Sequence, residues 1–146
     1  MSYTINLEDD GFSIRVATAG DLEPAEFFEM IAQTNELSEK SKRRRVLVDH
    51  SLATVSSLTT EAIKDVACVC ETLNDNLAGG RLAVVLARDL DYGLSRIWLA
   101  YVDDHLTFES RLFRERDAAV TWLEEGLISS RIKGVSEAVS HRIERE

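Results

Sequence analysis

The sequence predicts an α/β fold, with one mixed, mostly parallel five-stranded sheet covered by helices in the order ββαβαβαβα. Three observations carry this. The chain opens with two alternating segments rich in β-branched and aromatic residues, which read as a hairpin. Two short apolar runs further on, Val46 to Val48 and Leu82 to Ala87, read as strands covered on both faces. Segments of helical period stand between the strands, the pattern of a sheet wrapped by crossover helices. With 146 residues, 45% of them apolar, the chain is long enough for one ordinary core.

Tyr3 to Leu7 and Phe12 to Thr18 alternate around Glu8, Asp9, Asp10 and Gly11, so they are expected to pair antiparallel. After Gly20, Pro24 fits the first turn of a helix, where its missing N–H has no helical partner, and Phe27, Phe28, Ile31 and Ala32 supply the buried face. Arg45 to Asp49 is the first covered strand, followed by a serine-rich connection, Ser51 to Ser57. Thr59 or Thr60 then caps a helix whose stripe is Ile63, Val66, Ala67, Cys70, Leu73 and Leu77. Gly79 and Gly80 stop it. The second covered strand leads to a helix bearing Leu90, Leu94, Ile97, Trp98 and Tyr101 on one side, with Asp89 or Asp91 as its cap. Leu106 to Phe113 is the last strand, and Asp117 opens a helix with Val120, Trp122, Leu123 and Leu127. The domain is expected to span residues 1–127, with 128–146 a polar C-terminal helical tail.

A net charge of −9 repels phosphate backbones and anionic membranes, so nucleic acid is not an expected partner. The basic run Lys40, Lys42, Arg43, Arg44 and Arg45 reads as a solvated loop beside a helix C-terminus, where the dipole favours cations. No leader pattern and no membrane span are expected. Cys68 and Cys70 lie i, i+2 on a predicted helix and point about 200° apart, so they can neither bridge nor share a metal. A reducing, cytoplasmic setting follows from that usage.

The order of elements and several segments resemble the SpoIIAA-like branch of the STAS domains, the family of bacterial anti-sigma-factor antagonists and their uncharacterised relatives. The segments are Phe12 to Glu23 (FSIRVATAGDLE), Val46 to Leu58 (VLVDHSLATVSSL), Gly79 to Ala87 (GGRLAVVLA), Tyr92 to Ile97 (YGLSRI) and Leu112 to Leu123 (LFRERDAAVTWL), together spanning about residues 3–127. The resemblance implies the fold and two modes of use. In the antagonists a serine at the start of the second helix, in an Asp-Ser-Ser-Gly-like motif, is phosphorylated to switch partner binding. Ser56 and Ser57 match it here, with Val55 in place of the Asp and Leu58 in place of the Gly. The other use, proposed for the uncharacterised relatives, is to hold an apolar or lipid-like ligand between sheet and helices.

The residues themselves offer few reactive combinations. Asp49, His50 and Ser51 are consecutive at a strand end, so their side chains alternate between faces and cannot chain together as a hydrolase triad does. That end is still where open α/β sheets bind ligands, which makes Asp49 and His50 candidate lining residues. Leu94, Trp98 and Tyr101 are candidates for the wall of an apolar pocket or a dimer contact. Asp89, Asp91, Asp103 and Asp104 lack a calcium-loop spacing, and no metal or cofactor is expected. The neighbours of Cys68 at helical spacing are polar, so it is expected to be a partly exposed thiol. The leading expectation is a non-catalytic binding module for a small apolar ligand or a regulatory protein partner, with room for a homodimer. A regulator switched by phosphorylation at Ser56 or Ser57 is the alternative, and a hydrolase the remote one.

Overall fold

The computed structural model describes residues 2–125, so the tail expected over 128–146 lies outside the described residues. Five strands, β1 (Ser2–Leu7), β2 (Ser13–Asp21), β3 (Arg45–Thr54), β4 (Arg81–Val85) and β5 (Glu109–Phe113), form one sheet in sequential order. The β1–β2 hairpin is antiparallel, with Ile5 opposite Val16, and every later pair is parallel, with Val48 opposite Val84 and Val84 opposite Leu112. The helices are α1 (Pro24–Ser41), α2 (Thr60–Cys70), the one-turn α3 (Asn74–Leu77), α4 (Asp89–Val102) and α5, described over 116–125. A short 3₁₀ turn, Glu71–Leu73, joins α2 to α3.

Because β2 to β5 are laid down in one direction, crossovers of one hand deliver their helices to the same face. Helices α1, α2 and α4 therefore share a face and bury Ile14, Val16, Val46, Leu82 and Val84 beneath them. The opposite face presents the alternate residues Leu47, Ala83 and Val85 to Ala119, Trp122 and Leu123 of α5. Period two along each strand thus feeds two separate cores.

Local chemistry explains most element ends. Pro24 opens α1 behind a reciprocal cap in which the Glu26 carboxylate accepts the Glu23 N–H at 3.1 Å. Lys42 closes it at φ 62°, and the buried Ser38 hydroxyl donates to the Arg43 carbonyl at 2.6 Å. Thr59 caps α2 by accepting the Ala62 N–H at 3.1 Å. Gly80 packs against the Arg44 backbone so closely that a Cβ would overlap its carbonyl oxygen.

Several expectations need correction. β3 runs on through Ser51 to Thr54, because β2 also continues and pairs Ala19, Gly20 and Asp21 with Leu52, Ala53 and Thr54. β5 is shorter than expected and starts at Glu109, where pairing with Arg81 begins. Ala32 is exposed on α1, while Thr34 and Ser38 are buried. Neither Asp89 nor Asp91 is the cap of α4, since both lie inside its first turn and Arg88 holds the cap position. The basic run is not simply solvated. Arg43 Nη1 donates to the carbonyls of Glu8 and Ser13 at 2.7 and 2.8 Å and so holds the base of the hairpin.

Candidate functional site

Ahead of the bulge, the even-numbered residues of β3 face α1, α2 and α4. Val46, Val48 and His50 form the floor of a cavity of about 110 Å³ between the sheet and these helices. On the same measure one water needs roughly 10–15 Å³, so the space exceeds a packing defect. Phe27, Met30 and Ile31 of α1, Ile63, Val66 and Cys70 of α2, and Leu94 and Trp98 of α4 enclose it. Val55 and Leu58, from the connection ahead of α2, complete the wall on that side.

Polar groups in this wall are few and uncharged. They are the hydroxyls of Thr34 and Ser95, the Cys70 thiol, the His50 imidazole and the Trp98 indole N–H. Burial pushes the Cys70 thiol up to about 12; the Trp98 indole N–H acts weakly against this, lying near the sulfur without completing a hydrogen bond. No lysine or arginine lines the cavity among the described residues.

His50 is held by a feature of the sheet itself. Between Ala17 and Ala19 the register with β3 slips, because β3 carries one extra residue, and Thr18 lies opposite the bulge at His50 and Ser51. The buried Thr18 hydroxyl sits 2.7 Å from His50 Nδ1 and 3.2 Å from the Asp49 carbonyl oxygen. The imidazole and the Phe27 ring pack in a T-shaped arrangement with ring centres 5.6 Å apart. Burial lowers the His50 pKa from 6.5 to about 4, against the opposing pull of the Asp49 and Asp91 carboxylates, so the ring is neutral at neutral pH.

A second buried polar group braces the cavity rim. Asp91, in the first turn of α4, accepts the Thr54 hydroxyl at 2.8 Å and the Val55 N–H at 2.9 Å through Oδ1. Its Oδ2 is buried without a hydrogen-bond partner among the described residues. Asp91 therefore ties α4 to the start of the segment that carries Val55 and Leu58.

The candidate residues divide accordingly. His50, Leu94 and Trp98 meet at the cavity wall. Asp49 is buried on the opposite side of β3, where its carboxylate accepts the Ser51 N–H at 2.9 Å rather than meeting the imidazole. Tyr101 lies outside the wall, 37% exposed, with the Lys64 ammonium 5.3 Å from its ring centre. Ser56 and Ser57 are exposed in the connection ahead of α2, before its Thr59 cap. Cys68 is an exposed free thiol and Cys70 a buried one. Among the described residues no three His, Cys, Asp or Glu side chains gather as a metal site, and no helix is long and apolar enough to cross a membrane. Sequence reasoning missed Thr18, Thr34 and Ser95, and took Asp91 for a helix cap rather than the brace of the rim. A threonine in an alternating strand and an aspartate in a helix's first turn are ordinary, and only the fold brings them to this place.

No family model matches the chain, and no curated protein matches it in sequence. Among solved structures it is similar to an uncharacterized protein from the DUF3478 family with a SpoIIAA-like fold, from Shewanella loihica PV-4. The two share 18% identity, the match covers 84% of this chain and 92% of that one, and the TM-score is 0.54. The mixed sheet, the stacking of its helices and this likeness give the chain a SpoIIAA-like α/β fold, the architecture of the STAS domains.

Proposed function

We propose that this chain is a non-catalytic STAS-like binding module whose ligand is a small apolar or lipid-like molecule held between the sheet and α1, α2 and α4. The cavity carries this reading. Its wall is hydrocarbon apart from a few uncharged polar groups, the composition of a small-molecule pocket. The side chains around an apolar space of this size gain dispersion contacts when a ligand of matching shape fills it. A reducing cytoplasmic setting suits the exposed free thiol of Cys68.

Native mass spectrometry of the purified full chain tests the proposal. A bound mass that organic extraction releases supports it. Protein that stays empty, and remains so after incubation with a lipid extract, counts against it. The same spectra report whether the chain forms a homodimer.

A second reading rests on Ser56 and Ser57. Both are exposed, so a kinase could reach them, and they adjoin Val55 and Leu58 of the cavity wall. A regulator of a protein partner, switched by phosphate there, is the alternative. An empty cavity together with phosphate on Ser56 or Ser57 in cells would favour it.

A further inference from the structure

We propose that His50 is the polar anchor of the cavity and selects a ligand whose one buried polar end is an uncharged oxygen, a hydroxyl or a carbonyl, rather than a carboxylate. The inference rests on the apolar-ligand reading above and adds the chemistry of the head group.

His50 lies at the cavity with Nδ1 engaged by Thr18, and Nε2 has no protein partner among the described residues. The Thr18 hydroxyl has a single proton. If it points to the Asp49 carbonyl, Nδ1 must carry a hydrogen and Nε2 offers a lone pair; if it points to Nδ1, Nε2 offers an N–H. A ligand hydroxyl satisfies either arrangement, and a carbonyl satisfies the second. A carboxylate would enter a wall without lysine or arginine and meet the field of Asp49 and Asp91, which already acts on the imidazole. A buried charge without a partner is among the costliest arrangements in a protein interior. Thr34 and Ser95, the hydroxyl-bearing residues of the wall, are likewise uncharged.

Calorimetric titration of the full chain at neutral pH with n-octanol and with octanoate tests this, alongside Nile red as a general apolar probe. The expected result is that n-octanol binds at least about tenfold more tightly than octanoate, a margin smaller than the usual penalty for an unpaired buried charge. His50→Phe should weaken n-octanol about fivefold, the contribution of one neutral hydrogen bond, and leave Nile red bound. Thr18→Val, which removes the group that positions the imidazole, should weaken n-octanol in the same direction and serves if His50→Phe fails to fold. Octanoate binding as tightly as n-octanol, or n-octanol binding unchanged in the folded variants, overturns the anchor while leaving the cavity reading intact. Failure of all three probes to bind the wild type overturns both.

Discussion

The Thr18 hydroxyl and His50 Nδ1 lie 2.7 Å apart across the bulge between β2 and β3, and this contact fixes an imidazole against the cavity at the centre of the sheet. An extra residue in β3 opposite Thr18 is what aligns the two side chains. A regular ladder would keep the strands in step without the crowding of His50 and Ser51 against one partner residue. The buried ring is neutral, and its surroundings make its protonation a test of the fold.

Stability should fall as pH drops from 6.5 toward 4. The unfolded chain takes up a proton on His50 near pH 6.5, whereas the folded chain resists until about 4, so in that window the unfolded state binds the extra proton and gains. The loss attributable to this group is roughly 3 kcal/mol across the window. Above pH 6.5 both states hold the neutral ring and the slope vanishes. Urea unfolding at a series of pH values should show this fall in the wild type and a shallower one in His50→Phe; identical slopes would show that His50 is not the group responsible.

The two thiols should separate cleanly. Cys68 is exposed on α2, while Cys70 is buried against the cavity with its thiol pushed up to about 12. A thiol-reactive dye is expected to label one cysteine quickly in the native state and the other only on unfolding. Fast labelling of Cys70 in the native chain would contradict the packing of α2 on the sheet.

Two glycines should respond oppositely to alanine. Gly80→Ala puts a methyl group into the Arg44 backbone and should cost about 2–4 kcal/mol, because both β3 and β4 are tied there by the Arg81 N–H to Arg44 carbonyl bond of 3.1 Å. Gly93 is exposed within α4 with open space where a Cβ would stand. Gly93→Ala should therefore stabilise by about 0.5–1 kcal/mol. Thermal melts of both variants check the pair.

Asp91→Ala should cost about 1–3 kcal/mol, since it leaves the Thr54 hydroxyl and the buried Val55 N–H without their acceptor. Asp91→Asn keeps an acceptor at that position and should cost less. Limited proteolysis between Thr54 and Thr59 should speed up in the alanine variant, and an unchanged cleavage rate would show that Asp91 does not hold this segment.

Much of the architecture was legible in sequence because hydrophobic rhythm reports burial directly. Ile63, Val66, Ala67, Cys70, Leu73 and Leu77 all turn out buried, although the backbone changes from α to 3₁₀ geometry after Cys70. The stripe survives because packing constrains the side chains more than the exact pitch. The C-terminal half of β3 was hidden for the opposite reason: Ser51 and Leu52 are both exposed, Leu52 at 80%, which interrupts the alternation ahead of the buried Ala53, and the strand state comes from pairing with β2. On α4, Leu94 and Trp98 reach the cavity, whereas Leu90 is 61% exposed and Tyr101 faces Lys64. One apolar stripe was wider than the surface it had to cover. Asp91 and Thr18 act through partners 37 and 32 residues away, distances at which local pattern carries no information.

Nile red titration of the wild type and of Ser95→Phe, which projects a phenyl ring from α4 into the cavity, tests the central claim most directly. Saturable one-to-one binding to the wild type, weakened tenfold or more in a Ser95→Phe variant that melts at a similar temperature, is the predicted result. Equal binding to both proteins would place the dye elsewhere and contradict the account.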